Sequence, residues 1–215
     1  AELRRRQGGY GRGGRQKIES DAVTPIAGVR LGMTTGAPLV YQIPNRDSRL
    51  DDLERTPPVS RPRPGHADLA GSIKWLTTDA RNTLERASAR ETAARTAAGA
   101  TARVLLREFG IEVFGFVRAM HDARATVNIT PENWRDLRAK RDASEIACPD
   151  ETAAAQMIDL IHRAKVEKDT IGGLCEVHVF GCPIGLGSCV QWDEKLDGRL
   201  AQAGVSIQAS KRAEI

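Results

Sequence analysis

Residues 63–68 read RPGHAD, and residues 85–92 read ERASARET. The first run lies in a Pro- and Gly-rich segment, which favours an irregular loop because proline fixes φ and removes a hydrogen-bond donor. The second run opens the longest helical pattern in the chain. Together they supply arginines, which bind phosphorylated ligands, and one histidine, His66, which exchanges a proton near neutral pH.

The sequence around these two runs mixes strand and helix patterns. Four short apolar stretches predict β-strands: residues 23–29, 38–43, 111–117 and 174–180. Three stretches predict helices: residues 82–109, 150–168 with Asp150 as a cap, and 193–203. The charged and Pro-rich segment 46–65 is expected to be an irregular connection, and a polar stretch for which no element is predicted runs from residue 118 to Pro149. Because strands and helices do not alternate regularly, the predicted fold class is α+β and not a doubly wound sheet.

The composition indicates an ordinary globular protein. Its 215 residues are 40% hydrophobic and 28% charged, enough to form one domain or part of a larger one. The chain has neither an apolar run that could span a bilayer nor a signal-peptide pattern, so we expect a cytoplasmic protein that does not bind membranes. It starts at Ala1 and ends at Ile215 within sequence patterns, and both ends are interpreted as cuts.

The four cysteines indicate neither a metal site nor disulfides. They are Cys148, Cys175, Cys182 and Cys189. No pair has the gap of two to four residues that is typical of a zinc site. With no secretion signal, reduced thiols are the better interpretation, and we predict no metal site.

The N-terminal segment is rich in arginine and glycine, and residues 4–15 read RRRQGGYGRGGR. Residues 1–17 hold six Lys or Arg and one acid, Glu2, which points to a local anion site although the net charge of the chain is only +4. Glycines let a loop wrap closely around an anion. Taken alone, this loop could be an RNA-binding arm, a solvated tail or part of an enzyme.

These runs resemble signature segments of chorismate synthase. The resemblance rests on the motifs at 4–15, 63–68 and 85–92, and on GLG at 185–187, WD at 192–193, KLD at 195–197 and SIQA at 206–209. It covers nearly all of this chain but only the middle of the family's length. The resemblance implies that residues 1–215 form part of one chorismate synthase domain, with mixed β-α-β sandwich-like layers.

The resemblance also implies an activity. Chorismate synthase is a lyase that eliminates phosphate from 5-enolpyruvylshikimate 3-phosphate to give chorismate, the last step of the shikimate pathway to the aromatic amino acids. It requires reduced FMN, and whether a partner or an internal NADPH-dependent activity reduces the flavin stays open. Family members are cytoplasmic homotetramers, so a symmetric assembly is expected for the full-length protein.

Specific residues match the motifs of the family. His66 matches a histidine that lies near the flavin ring and donates a proton to the reduced cofactor. The FMN-binding positions are Arg86, Ala87, Ser88, Gln208 and Ala209, and the substrate-binding arginines are Arg6, Arg12, Arg63 and Arg90. The chain differs from the family at Ala87, where many members have serine, and in its tail. In the tail, Gly204-Val205 replaces the usual pair before Ser206, and residues 210–215 read SKRAEI where members have a glycine-containing turn.

Several less specific interpretations stand beside this one. Arg86 and Arg90 could belong to an ordinary charged helix face that pairs with Glu85 or Glu91. The other histidines, His121, His162 and His178, match no motif and are interpreted as structural.

The chain lacks two parts of the family's sequence, an N-terminal Gly-Glu-Ser-His-Gly segment with a second histidine and the C-terminal half. We therefore expect the isolated chain to be inactive. The alternatives are a non-catalytic remnant of the fold and a nucleic-acid-binding module that uses the arginine-rich arm. The second alternative does not account for the His66 motif, so we expect no nucleic acid as a partner.

Overall fold

A computed structural model of the chain describes residues 2–11, 20–45, 52–87 and 89–215. Seven α-helices occur in this part of the chain: α1 (Glu2–Gln7), α2 (Asp68–Lys74), α3 (Arg81–Arg86), α4 (Ala89–Glu108), α5 (Trp134–Ala143), α6 (Glu151–Glu167) and α7 (Leu196–Ser206). The described part of the chain also contains seven strands: β1 (Thr24–Ala27), β2 (Val29–Arg30), β3 (Met33–Thr34), β4 (Val40–Gln42), β5 (Glu112–Met120), β6 (Ala123–Arg124) and β7 (Gly173–Phe180). A 3-10 turn at Trp192–Glu194 precedes α7.

The chain forms two compact units, of which the first comprises residues 1–17 and 99–184. Its centre is a three-stranded antiparallel sheet in the order β6-β5-β7. Strands β5 and β7 pair from Glu112 with Phe180 to Met120 with Gly173, with an irregularity between Val117 and Ala119. Side chains alternate between the two faces of such a sheet, so each face can pack against a different helix.

Two apolar clusters hold α5 and α6 against this sheet. One cluster joins Phe114 and Phe116 of β5 to Trp134, the first residue of α5. The other contains Met157 of α6, which is fully buried, together with Ala153, Ala154, Ala123, Ala125, Ile146 and Cys148. Burial of these side chains supplies most of the driving force that folds this unit.

Helix α6 starts where the sequence predicts it. The Asp150 carboxylate accepts a hydrogen bond from the backbone N–H of Ala153, 3.1 Å away, and another from the N–H of Thr126 at 3.0 Å. The first bond satisfies one of the free N–H groups at the helix start, and the second attaches that start to the segment after β6. The predicted cap is therefore confirmed.

An ion-pair cluster lies on β5 and β7 of this unit. Arg118 donates to Glu176 through Nε at 2.5 Å and Nη2 at 2.7 Å, and through Nη1 to the carbonyls of Ala125 and Val127. The His178 ring lies 2.6 Å from the same carboxylate. The hydrogen bonds from Arg118 lower the pKa of Glu176 to about 2, so this carboxylate is ionised at neutral pH.

The depressed pKa of Glu176 predicts an acid-dependent loss of stability. A carboxyl group of this kind stabilises the fold above its unfolded pKa of about 4.5, and the stabilisation is lost as the pH falls toward 2. We expect Glu176→Gln to cost roughly 2–3 kcal/mol at pH 7 and to flatten the pH dependence below pH 4.5. Urea unfolding at pH 7 and pH 3.5 measures both effects. The exposed Glu167, replaced in the same way, should leave the pH dependence as it is, and equal slopes for both variants would contradict the prediction.

The second unit comprises residues 18–98 and 185–215. It contains two small antiparallel pairs, β1 with β4 and β2 with β3, together with α2, α3, α7 and the first half of α4. In α4, Ala93 and Ala97 are 1% and 6% exposed and lie one helical turn apart. Their small side chains let the backbone of α4 approach its neighbours closely, which is the packing that the alanine-rich sequence indicates.

The α+β fold class is confirmed, but two predictions of secondary structure are wrong. The predicted helix 82–109 is two helices, α3 and α4, separated by Ala87 in an extended conformation (φ −87°, ψ 170°). The predicted loop 1–17 begins with α1, and residues 12–17 lie outside the described part of the chain. In addition, α5 lies in the polar stretch after β5, for which no element was predicted.

Helix α5 escaped prediction because its core positions are not all apolar. Trp134, Leu137 and Arg141 recur at helical spacing, and Trp134 and Arg141 are both buried. The Arg141 guanidinium donates to the Gly115 carbonyl at 2.5 Å and lies over the Phe114 ring, 5.4 Å from its centre. A buried arginine that is held in this way looks, in sequence, like an exposed polar position.

Within the described residues, no helix is long and apolar enough to cross a bilayer. All four cysteines are free thiols, and Cys148 is buried.

Candidate functional site

The RPGHAD segment forms a hydrogen-bonded cluster around the Asp68 carboxylate in the second unit. Asp68 is the first residue of α2, and its side chain is completely buried. Arg63 donates to both carboxylate oxygens, from Nε to Oδ2 at 2.8 Å and from Nη2 to Oδ1 at 3.1 Å. The Arg63 backbone N–H adds a third bond to Oδ2 at 3.1 Å. The Asp68 carboxylate, and not the histidine, is therefore the centre of the hydrogen bonds in this loop.

His66 binds the same carboxylate from the other side. Its Nδ1 is hydrogen-bonded to Asp68 Oδ1, and Nη2 of Arg63 lies 3.0 Å from both ring nitrogens. The imidazole is 22% exposed, so it is held in place while part of it stays accessible. Gly65, directly before it, has φ +66°, a backbone conformation that glycine adopts without strain.

The electrostatics of the cluster favour a carboxylate that remains charged. Hydrogen bonds from the Arg63 side chain hold the pKa of Asp68 well below its usual range, against the opposing effect of burial. Hydrogen bonding to the Asp68 side chain also raises the pKa of Arg63. A buried charge is tolerated only where it is paired and fully hydrogen-bonded, and three donors meet that requirement here.

Neighbouring segments hold this loop firmly. The Asp79 carboxylate accepts from the backbone N–H groups of Val59 at 2.8 Å and Arg81 at 2.9 Å. The Arg81 side chain donates to the Pro57 carbonyl at 2.8 Å. The polypeptide before RPGHAD is thereby tied to the start of α3.

Helix α2 is in turn packed tightly against α3. A Cβ atom added at Gly71 of α2 would lie only 2.3 Å from the Thr83 hydroxyl oxygen, so only glycine fits at this contact. The close approach holds α2 against α3 three positions after Asp68.

The break between α3 and α4 falls within the predicted flavin-binding positions. Arg86 is exposed at the end of α3, and Ala87 is extended, whereas Ser88 lies outside the described residues. Arg81 lies within 4.0 Å of Glu85, and Arg95 pairs with Glu91, so these two acids have arginine partners other than Arg86. The alternative in which Arg86 serves as an ordinary partner on a charged helix face therefore gains no support from these pairs.

Arg90 lies in the first turn of α4 and pairs with an acid that the sequence did not single out. Its Nη2 lies 3.3 Å from Oδ1 of Asp21, whose side chain is 1% exposed. Further along α4, Arg95 donates from Nη1 to the Ser206 hydroxyl at 2.9 Å. Helix α4 thus contacts the segment that leads into the predicted flavin-contacting pair, Gln208 and Ala209.

That pair follows α7 in an irregular segment. Both side chains are exposed, and Ala209 has φ +65°, which is uncommon for a residue with a side chain. Five other non-glycine residues of the described chain share this backbone conformation, so it does not by itself mark a site.

The remaining predicted substrate residues divide between the two units. Arg63 and Arg90 lie in the second unit, together with His66, Arg86, Gln208 and Ala209. Arg6 lies on α1 in the first unit, where Arg103 anchors the helix by donating to Glu2 at 2.8 Å. Arg12 lies outside the described residues.

The sequence analysis missed Asp68 and Asp21 as members of the site. Asp68 had a local signal, since it stands two positions after His66 in the same run. Asp21 had none, because it is 69 positions from its partner Arg90. Among the described residues, no cluster of three or more His, Cys, Asp or Glu side chains could hold a metal ion.

Comparison with known proteins identifies the family. The family model described as chorismate synthase matches residues 1–215. The chorismate synthase of Desulforamulus reducens is 52% identical over the whole chain, and that of Desulforudis audaxviator is 50% identical. The chain spans 57% of the length of each of these relatives.

A solved structure supports the same assignment. A crystal structure of chorismate synthase superposes with a TM-score of 0.78 at 38% sequence identity, covering 97% of this chain and 56% of that protein. The motifs at 63–68 and 85–92 therefore lie in a chain whose sequence and fold both match one family throughout. The resemblance is confirmed, and this chain belongs to the chorismate synthase family.

Proposed function

We propose that this chain is part of an enzyme that eliminates phosphate from 5-enolpyruvylshikimate 3-phosphate to form chorismate, with reduced FMN as cofactor. The observation that carries the proposal is the cluster of Arg63, His66 and Asp68 in a member of this family. A histidine held by a buried carboxylate and still partly exposed is suited to exchange a proton with a bound molecule.

Arginines are the proposed substrate-binding residues. Arg6, Arg12, Arg63 and Arg90 are the proposed set, and guanidinium groups suit the task because they stay charged and grip phosphate oxygens in a bidentate way. Nε and Nη2 of Arg63 bind Asp68, and among the described residues Nη1 has no partner. The N–H groups of Nη1 therefore remain for a ligand. Such cations stabilise the charge that develops on the departing phosphate.

The residues present fit an FMN molecule at the break between α3 and α4. Helix α4 is 20 residues long and begins at Ala89, directly after the break, and an N-terminus of such a helix favours a phosphate group. The exposed cation of Arg86 lies at the same place. Arg86, Ala87, Ser88, Gln208 and Ala209 are therefore the proposed FMN-binding residues. When bound, the reduced flavin supplies electron density for breaking the C–O bond.

His66 is the proposed proton donor to the cofactor, and the neighbouring groups prepare it for that task. Asp68 and Arg63 hold the ring in one orientation, and the tied loop prevents it from turning away. Positioning of this kind lowers the barrier because a misplaced group must first find its orientation.

We extend the proposal to the full-length protein by analogy with the family. It would be a cytoplasmic homotetramer in aromatic amino acid biosynthesis, with NADPH as a candidate source of reducing power. The nucleic-acid alternative is not pursued, because residues 2–7 form α1 with Leu3 buried and do not extend as a free arm.

The test is an anaerobic assay of the full-length protein with 5-enolpyruvylshikimate 3-phosphate and reduced FMN. We expect equal amounts of chorismate and inorganic phosphate, and no product with oxidised FMN. Tight binding of reduced FMN without product would indicate the non-catalytic remnant. Absence of both binding and product would contradict the proposal.

The role of Arg90 is tested by its replacement with alanine in the full-length protein. We expect KM for 5-enolpyruvylshikimate 3-phosphate to rise by roughly 10- to 100-fold, because a charge-assisted hydrogen bond contributes about 1.5–3 kcal/mol. Arg107→Ala, on the same helix, is the control and should leave KM within about twofold. Asp21→Asn disturbs the ion pair but keeps the arginine, so an equal rise in KM for Asp21→Asn would show that the effect is only structural.

A further inference from the structure

We infer that Asp68 is a positioning residue for His66: its carboxylate holds the imidazole in the tautomer with the proton on Nδ1, which leaves the lone pair of Nε2 to take up and release a proton. The inference rests on the proposed function of His66 and extends it by naming the reacting atom and the residue that selects it.

The hydrogen bond to Asp68 determines which nitrogen carries the proton. An ionised carboxylate can only accept, and Oδ1 of Asp68 contacts Nδ1 of His66. Nδ1 must therefore be the donor, and in a neutral imidazole Nε2 then carries the lone pair. This is how a second partner sets the tautomer of a histidine in many sites.

Arg63 does not choose between the tautomers. Its Nη2 lies 3.0 Å from Nε2 as well as from Nδ1, so its N–H groups face the ring in either tautomer. In the opposite tautomer the lone pair of Nδ1 would face the carboxylate, which is a repulsive contact, so the anion decides the tautomer.

Asp68 is suited to this role because it does not accept the proton itself. Three hydrogen bonds from Arg63 keep the buried carboxylate ionised, and they lower the pKa of Asp68. Glu85 of α3 acts electrostatically on Arg63 and helps to keep the guanidinium charged. The proton on Nδ1 therefore stays on the ring, and the proton that passes to a bound ligand is a second one, taken up at Nε2.

The surrounding structure holds the Asp68 side chain in place. The carboxylate has no exposed surface, and α2, which it begins, approaches α3 at Gly71 too closely for any side chain. Asp68 cannot follow the ring if the ring turns, so rotation of His66 breaks the bond.

The tautomer can be measured directly in full-length protein labelled with ¹⁵N-histidine. The ring-nitrogen chemical shifts distinguish Nδ1–H from Nε2–H, and His66→Gln assigns the signal. At neutral pH we expect Nδ1–H in the unmodified protein. Asp68→Asn should raise the fraction of Nε2–H and lower kcat by roughly 10- to 100-fold.

Asp79→Asn is the matched control, since Asp79 is also a carboxylate that ties this loop but does not contact His66. It should lower stability while leaving the His66 tautomer and kcat near their original values. Two results would overturn the inference: Nε2–H in the unmodified protein, or an unchanged tautomer in folded Asp68→Asn. If Asp68→Asn does not fold, the spectrum of the unmodified protein decides alone.

The same experiments separate the inference from the proposed function. If the tautomer responds to Asp68→Asn while removal of the His66 ring leaves turnover intact, the positioning by Asp68 stands and the role of His66 in the reaction is wrong.

Discussion

Replacing His66 with alanine in the full-length protein should lower kcat for chorismate formation by roughly 10²- to 10⁴-fold, the usual contribution of a positioned general acid or base. The effect on KM should be small, because the imidazole is proposed to serve the cofactor and not to grip the substrate phosphate. Stability should change little, since Asp68 keeps all three hydrogen bonds from Arg63. Steady-state kinetics under anaerobic conditions, with a thermal unfolding curve for each variant, measure both.

The control for this variant is His162→Ala. His162 lies on the exposed surface of α6 and matches no family motif, so kcat should remain near its original value. Near-normal turnover of His66→Ala would refute the proposed role of the ring. If His66→Ala loses much thermal stability, turnover is compared at a temperature where the variant is folded.

Replacing Phe114 with alanine should destabilise the first unit by about 3–5 kcal/mol, the usual cost of removing a buried phenyl group. Phe114 has no exposed surface. It stacks on Phe116 with ring centres 5.4 Å apart and lies 6.5 Å from the Trp134 ring. Loss of the ring leaves a cavity at the junction of β5 and α5, and it removes the aromatic face over which the buried Arg141 lies. Urea unfolding measured by tryptophan fluorescence reports the change.

Phe114→Leu is the matched control at the same position. It retains most of the apolar volume, so we expect a cost of about 1 kcal/mol. If both variants cost the same, the cavity is not the cause. A cost below about 1 kcal/mol for Phe114→Ala would mean that this cluster is not the core of the unit.

The sequence alone predicted the elements whose signals are local. Asp150 caps α6 because its side chain bonds to an N–H three positions away, and that bond depends on no distant residue. The strands β5 and β7 show strong apolar patterns, and both lie where predicted. His66 was singled out for the same reason, since its loop carries its own proline and glycine signals.

The break between α3 and α4 had no such signal. Ala87 has the strongest helix propensity of any residue type, yet it is extended. Local propensity amounts to less than 1 kcal/mol per residue, which tertiary packing easily exceeds. The tight contact between Gly71 and Thr83, which places α3 against α2, is an interaction of that kind.

The sequence by itself determined the family of this chain and its α+β class, and it predicted the site residues, because these follow from motifs and from patterns within a few turns of the backbone. Only the tertiary structure decided which charges are buried and with what partners. Arg118 meets Glu176 across 58 positions, and Asp21 meets Arg90 across 69. Whether a carboxylate such as Asp68 is solvated or enclosed depends on the other segments that surround it, and that environment determines its charge and its effect on His66.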